Sequence, residues 1–211
     1  MKIPLIKILK GRFLRIAELQ DLVIIELSKK FDYVLHGGTA IWRVYGSKRF
    51  SFDIDIYYSR PADIISYFNK LEILKLTRYK ITSSNVAYIR VKSAEEIDIG
   101  ITPFFRNMDV IEGDYWLTDG TSIVVKTLSP EDLVKEKVNA YLNRMKSRDL
   151  YDIYYLLDFC DINKIKGDLK KLLPKLETEP RDFSGLRELI LLGKTPSFKS
   201  IREKVVRYAT D

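Results

Sequence analysis

The sequence predicts an α+β fold: a mixed, mostly antiparallel sheet domain over residues 1–128, then a helical domain over residues 129–211. Three observations carry this reading. Two acidic stretches, Asp53-Ile54-Asp55-Ile56 and Glu95 to Ile101, alternate polar and apolar residues with the period of a half-buried strand. Further extended segments, marked off by Ser, Asn, Pro and Gly, lie around them. From Ser129 onward the apolar spacing turns helical and stays so.

The elements follow in order. Leu14, Ala17, Leu22 and Ile25 fall at helical spacings and predict an amphipathic helix over 13–30. Phe31 to Leu35 reads as a strand entering Gly37-Gly38, a pair that permits a tight turn and close backbone approach. Thr39 then opens a helix through Ala40, Ile41, Trp42 and Val44. After the aspartate strand, Ser59-Arg60-Pro61 marks a stop, with Pro61 in the first turn of a helix through Phe68. Extended segments near 73–82 and 85–92 flank a turn at Ser83-Ser84-Asn85. Residues 102–120, with Pro103, Gly113 and Gly120, read as loop, and Thr121 to Thr127 as one more strand. Ser129-Pro130-Glu131-Asp132 has the N-cap, first-position proline and first-turn acids of a helix start. Helical segments near 162–173, 181–192 and 198–208 follow, separated by prolines.

The chemistry concentrates between Val34 and Tyr57. Asp53 and Asp55, two apart on a strand, project from one face about 7 Å apart at Cα. At roughly 5 Å separation and an effective dielectric near 20, their charges repel by about 3 kcal/mol. A hard divalent cation such as Mg²⁺ or Mn²⁺ between them suits carboxylate oxygens. The glycine turn, with backbone N–H groups at a helix start, makes a seat for phosphate. A phosphate seat about 15 residues before a carboxylate pair points to nucleoside triphosphate chemistry. Asp98 lies opposite to the Ile97, Ile99 and Ile101 face and is the candidate third carboxylate, as two-metal phosphoryl transfer requires.

Taken together, Gly37-Gly38-Thr39, then Arg49, Ser51 and Asp53-x-Asp55, closely resemble the motif of the DNA polymerase β-type nucleotidyltransferase superfamily. The wording GGTA…R-x-S-x-D-I-D is most similar to the AbiEii branch, toxins of type IV abortive-infection systems, over roughly residues 31–158. The resemblance implies a polymerase β-like domain and transfer of a nucleotidyl group from an NTP to an acceptor such as the 3′ end of tRNA. It implies a cognate antitoxin as partner. It implies that Asp53, Asp55 and Asp98 bind metal, with Asp98 orienting or deprotonating the acceptor hydroxyl. Gly37, Gly38 and Thr39 would cradle phosphates, with Ser51 and Arg148 beside the nucleotide, and Arg49 would either lock the aspartate strand or touch the triphosphate.

Leu133, Val134, Val138, Tyr141 and Met145 form an apolar helical stripe that contains Lys137. A partly buried lysine needs a partner or a cleft. Lys137 therefore either contacts triphosphate or pyrophosphate, or snorkels past the core edge. The AbiEii-like pattern K-x(n)-R-D-x-x-D, here Lys137, Arg148, Asp149 and Asp152, favours the first and makes an aspartate part of the site. Spacing leaves Asp149 and Asp152 both open, with Asp152 favoured. A straight helix would hold Lys137 and Asp152 about 22 Å apart. A break near Lys146-Ser147 is therefore predicted, with Ser147 or Asp149 capping a second helix.

The rest of the composition sets limits. At 211 residues, 46% hydrophobic and 31% charged, the chain can bury one sizeable core. A net charge of +7 favours polyanionic partners, nucleotides or RNA, and the lysine-rich C-terminal third reads as either an RNA-docking face or a solvated surface. A single cysteine, Cys160, allows no internal disulfide and reads as an inert thiol in a reducing cytoplasm. One histidine, His36, excludes a His-ligated zinc site and reads as a structural hydrogen bonder. No apolar run is long enough to suggest secretion or membrane insertion. Gly193-Lys194-Thr195 fails as a P-loop, since Glu188 stands where the first glycine should be. Two alternatives keep the same pocket: a nucleotidyltransferase that modifies protein, and a non-catalytic nucleotide or RNA binder. Two crowded carboxylates weigh against the second.

Overall fold

The computed structural model describes residues 3–104 and 107–210. The part of the 102–120 segment at residues 105–106 lies outside them. A seven-stranded sheet forms from β1 (Val34–His36), β2 (Ile54–Tyr57), β3 (Lys75–Ile81), β4 (Ala87–Lys92), β5 (Glu96–Thr102), β6 (Val110–Trp116) and β7 (Ser122–Leu128). Its order is β3-β4-β5-β2-β1-β7-β6. Only β2–β5 and β1–β7 pair in parallel, so the sheet is mixed and mostly antiparallel, as the sequence predicts.

The alternation in the acidic strands does what a pleat demands. Ile54, Ile56, Ile97, Ile99 and Ile101 are buried, with Ile89 and Val91 of β4 beside them. On this apolar side, α1 (Gly11–Ser28) packs against β5 and α3 (Pro61–Phe68) against β3. The helix α2 (Gly37–Arg43) packs against β1, β2 and β6. Both glycines belong to this helix rather than to a turn preceding it.

The expected loop over 102–120 contains a strand, β6. Gly113 misleads, because a glycine within a short run reads as a breaker. Its actual role is clearance: a Cβ there would stand 2.6 Å from Val44 Cγ1, beyond the end of α2.

α4 (Pro130–Arg144) starts as predicted, with Ser129 Oγ accepting from the Asp132 N–H at 3.3 Å. It ends where Met145 adopts the left-handed region, φ 51°. The chain reverses and enters α5 (Ser147–Leu156). The predicted break is present, but neither proposed residue caps α5. The N-cap is Lys146 without a side-chain bond; Ser147 is tied to Asp182, and Asp149 turns inward.

The last part of the chain is less helical than predicted: two 3₁₀ turns separate α6 (Lys166–Leu172) from α7 (Leu186–Leu189), and α8 (Phe198–Thr210) follows after non-helical chain. Past α7 the chain extends and pairs with 48–50, through Phe50 N–H to Leu189 O and Leu191 N–H to Lys48 O, both 2.8 Å. This bridge braces the segment that carries Arg49. Among the described residues no helix is long and apolar enough to cross a membrane.

Candidate active site

The site begins where β1 runs into α2 beside β2. His36 lies opposite Asp55 in the β1–β2 ladder, and Gly37 follows at φ +70°, which an L side chain rarely adopts. A Cβ on Gly37 would stand 2.5 Å from Asp55 Oδ2, and one on Gly100 of β5 would stand 2.8 Å from Asp55 Oδ1. Two glycines, one opening α2 and one in β5, thus leave the space that the Asp55 carboxylate fills. At Gly38 a Cβ would meet Ser51 Oγ at 2.5 Å and the Arg49 guanidinium at 2.7 Å. The glycine pair is required for close approach of side chains.

Thr39 and Ser51 hold the same corner. The Thr39 hydroxyl donates to the Asp53 carbonyl, fixing the entry to β2. Gln20 donates to the Ser51 carbonyl at 2.9 Å from a fully buried position in α1.

Asp53 and Asp55 share one sheet face, as predicted. Burial pushes the Asp53 carboxyl above its ordinary range, and repulsion from Asp55 adds to it, against partial relief from Arg148. Arg148, half-buried in the first turn of α5, makes no ion pair or hydrogen bond among the described residues. Asp98 stands on the same face one strand away, level with the start of β2. Both of its oxygens accept from Arg90, at 2.7 and 2.8 Å, and this bond holds Asp98 below the usual carboxylate range. Among the described residues no three Asp, Glu, His or Cys side chains converge as a ready three-ligand site. The chain therefore brings together a carboxylate pair plus a neighbour already engaged by an arginine.

Behind α2 lies a second group of charges. Arg49 donates through Nε and Nη2 to Asp152 Oδ1 and Oδ2, at 2.7 and 2.9 Å. Lys137 Nζ is 2.9 Å from Asp152 Oδ2 and 3.5 Å from Asp149 Oδ1. Arg144 grips Asp149 with two bonds of 2.7 Å. The break after α4 folds α5 back so that these residues meet. Burial alone would raise Asp152, but Arg49 and Lys137 outweigh it and hold its carboxyl low.

The candidate residues in this group are buried. Lys137 neither snorkels nor faces open cleft; it is buried between two carboxylates. Arg49, 3% exposed, locks to Asp152. Asp152 and Asp149 are both fully buried with their oxygens occupied by Arg49, Lys137 and Arg144.

A third cluster was not singled out from sequence. Glu136 accepts from the Tyr57 hydroxyl at 2.5 Å and lies 3.2 Å from His36 Nδ1, while the His36 and Tyr57 rings stack at 3.9 Å. His36 is the structural hydrogen bonder expected of it. Burial raises Glu136, but the His36 and Tyr57 bonds leave its carboxyl lowered overall. Glu136 directly precedes Lys137, so one turn of α4 presents an acid to β1 and β2 and a cation to α5. The adjacency is visible in the sequence; the partners are not.

The family model of the nucleotidyl transferase AbiEii toxin, type IV toxin–antitoxin system, matches residues 19–206. The chain belongs to that family. It is a nucleotidyltransferase of the AbiEii toxin family, and the region matched extends past the motifs into α8. Two solved structures share the fold. The crystal structure of JHP933 from Helicobacter pylori is 19% identical, with TM-score 0.64, covering 95% of this chain and 91% of that one. A candidate nucleotidyltransferase from H. pylori is 20% identical, with TM-score 0.67, covering 95% and 94%. At such identities the likeness speaks for fold alone. Comparison with curated proteins gives no match.

Proposed function

We propose that this AbiEii-family nucleotidyltransferase moves a nucleotidyl group from an NTP to the 3′ end of an RNA such as tRNA, acting as a toxin beside a cognate antitoxin. The observation that carries this is the under-compensated Asp53–Asp55 pair, with the Asp55 carboxylate seated between Gly37 and Gly100. Its oxygen-only donors and mutual repulsion fit a hard divalent cation, which Asp53 and Asp55 would hold. Such a cation supplies charge stabilisation at the transferring phosphoryl group.

The chain's own groups account for the rest. Gly37 and Gly38 would donate backbone N–H groups to phosphate oxygens. Arg148, without a carboxylate partner, supplies positive charge beside Asp53 for the triphosphate. Lys137, Asp149, Asp152 and Arg49 act as one positioning group, with three cations (Arg144 included) against two carboxylates. Their excess positive charge favours the anionic transition state. An acceptor hydroxyl attacks the α-phosphorus, a new P–O bond forms, and the bond to the bridging oxygen of pyrophosphate breaks. Asp98, acidified by Arg90, is a weak base and serves to orient that hydroxyl, whose proton leaves to solvent.

The test incubates the protein with each α-labelled NTP, Mg²⁺, and total tRNA or a protein extract. Label on the tRNA band with wild type, absent with Asp53→Asn, is the expected result. Label on a protein band with tRNA unlabelled would replace RNA by protein as acceptor. No transfer to either would overturn the reading.

A further inference from the structure

The sheet face that carries Asp53 and Asp55 has two halves. Over β1 and β2 it is covered by α4, through Glu136. Over β5, β4 and β3 it stays open. Register sets the open side chains in rows: Asp55 lies across from Gly100, Gly100 from Tyr88, and Tyr88 from Lys80. Alongside, Asp98 lies across from Arg90 and Arg90 from Arg78. Directly paired residues project to the same face. Together with Asp53 they line one cleft of about 430 Å³.

Folding does not explain this composition. Tyr88 is 60% exposed, and Arg78 and Lys80 are exposed on the outermost strand. Arg90 is held by Asp98, which Arg78 also attracts from a distance; the Arg78 and Lys80 side chains make no ion pair or hydrogen bond among the described residues. An exposed aromatic ring among unpaired cations is a surface that stacks an unpaired base and follows a phosphate backbone. At about 4.8 Å per strand, Lys80 stands about 14 Å from Asp55, and Gly100 adds no side chain between Tyr88 and the carboxylates. None of Lys164, Lys166, Lys170 or Lys171 lines this cleft.

We propose that the open β5-β4-β3 face seats the single-stranded end of a polynucleotide acceptor, with Tyr88 stacking a base and Arg78 and Lys80 taking backbone phosphates. This rests on the nucleotidyl-transfer reading of Asp53 and Asp55, and it moves the acceptor away from the lysine-rich C-terminal helices. A single strand is required because a base held in a duplex stack cannot reach Tyr88.

The test is fluorescence anisotropy of a short labelled oligouridylate with the full chain, without NTP or metal, over a salt series. Each phosphate contact on a single strand contributes about 0.7 to the slope of log K against log salt, so Arg78→Ala with Lys80→Ala should flatten it by about 1.4. Tyr88→Ala should weaken binding about tenfold with the slope kept, and Tyr88→Trp should restore it. Lys170→Ala with Lys171→Ala should change neither. All these positions are exposed, and unchanged melting temperatures would verify the folds. No binding by wild type, tighter binding of duplex RNA, unchanged affinity in both face variants, or loss only in the Lys170/Lys171 variant would each overturn the proposal. Because no nucleotide is present, failure of the transfer reading would register separately, as absent label transfer with oligonucleotide binding intact.

Discussion

Two aspartate pairs stand on either side of α2, and they are built in opposite ways. Asp149 and Asp152 are fully buried, and three cations, Arg49, Lys137 and Arg144, satisfy them. Asp53 and Asp55 lie at the cleft, where burial and mutual repulsion hold Asp53 in a raised state and only Arg148 and Arg49 offer partial relief. The first pair is neutralised by the chain itself and so contributes to structure. The second keeps a repulsion that the chain's own cations only partly relieve. Local sequence is the same in kind, two aspartates a few residues apart; what differs is whether basic residues fold back onto them.

The largest expected effect breaks the inner pair. Asp152→Ala leaves the Arg49 guanidinium buried beside an empty space, and removal of one partner from a buried pair costs about 3–5 kcal/mol. Urea unfolding should show that loss as a lower midpoint. The sign with pH follows from the lowered Asp152 carboxyl. Its stabilisation is fully present above the unfolded carboxylate range and disappears as pH falls through the depressed value. Wild type should therefore lose stability in acid, and Asp152→Asn should show a flatter acid limb.

A smaller effect is expected at Lys137. With Lys137→Met, Asp152 keeps Arg49 and Asp149 keeps Arg144, so the fold should lose no more than about 1–2 kcal/mol. Nucleotide turnover should nonetheless fall severalfold, because the excess positive charge beside the phosphate seat is gone. Unchanged nucleotide kinetics in a folded Lys137→Met protein would confine this cation to structure.

Smaller again in stability, Gly100→Ala touches the outer pair alone. Its Cβ would press on Asp55 Oδ1, so the variant should fold with a near-wild-type melting temperature yet lose most label transfer. Full transfer activity would show that the position of Asp55 is not critical.

Much of this comparison was legible in the sequence, and the part that was not has a physical cause. Period-2 alternation placed Asp53, Asp55 and Asp98 on one sheet face, because the alternation is set locally by the pleat. Ser129 and Pro130 started α4 through local hydrogen bonding and a fixed φ. The distance between Lys137 and Asp152 on a straight helix forced the prediction of a break between them. The identity of their partners was beyond reach: Arg49 meets Asp152 across 103 positions of sequence, and nothing local encodes that contact. Tyr88, Arg78 and Lys80 were likewise unremarkable singly, since only ladder register aligns them with Asp55. Gly113 concealed β6 because clearance for Val44 and a loop call for the same residue.

The central claim is that Asp53 and Asp55 form a cation site, and thermal unfolding with and without MgCl₂ or MnCl₂ tests it most directly. Without metal, the raised Asp53 carboxyl means that its contribution to stability is present at acid pH and lost as pH rises through its elevated value. The metal-dependent gain should therefore grow from acid to neutral pH, following mass action. Asp53→Asn with Asp55→Asn should abolish the gain while leaving the metal-free melting temperature equal to or above that of wild type. A double variant that keeps the full metal response would contradict the account.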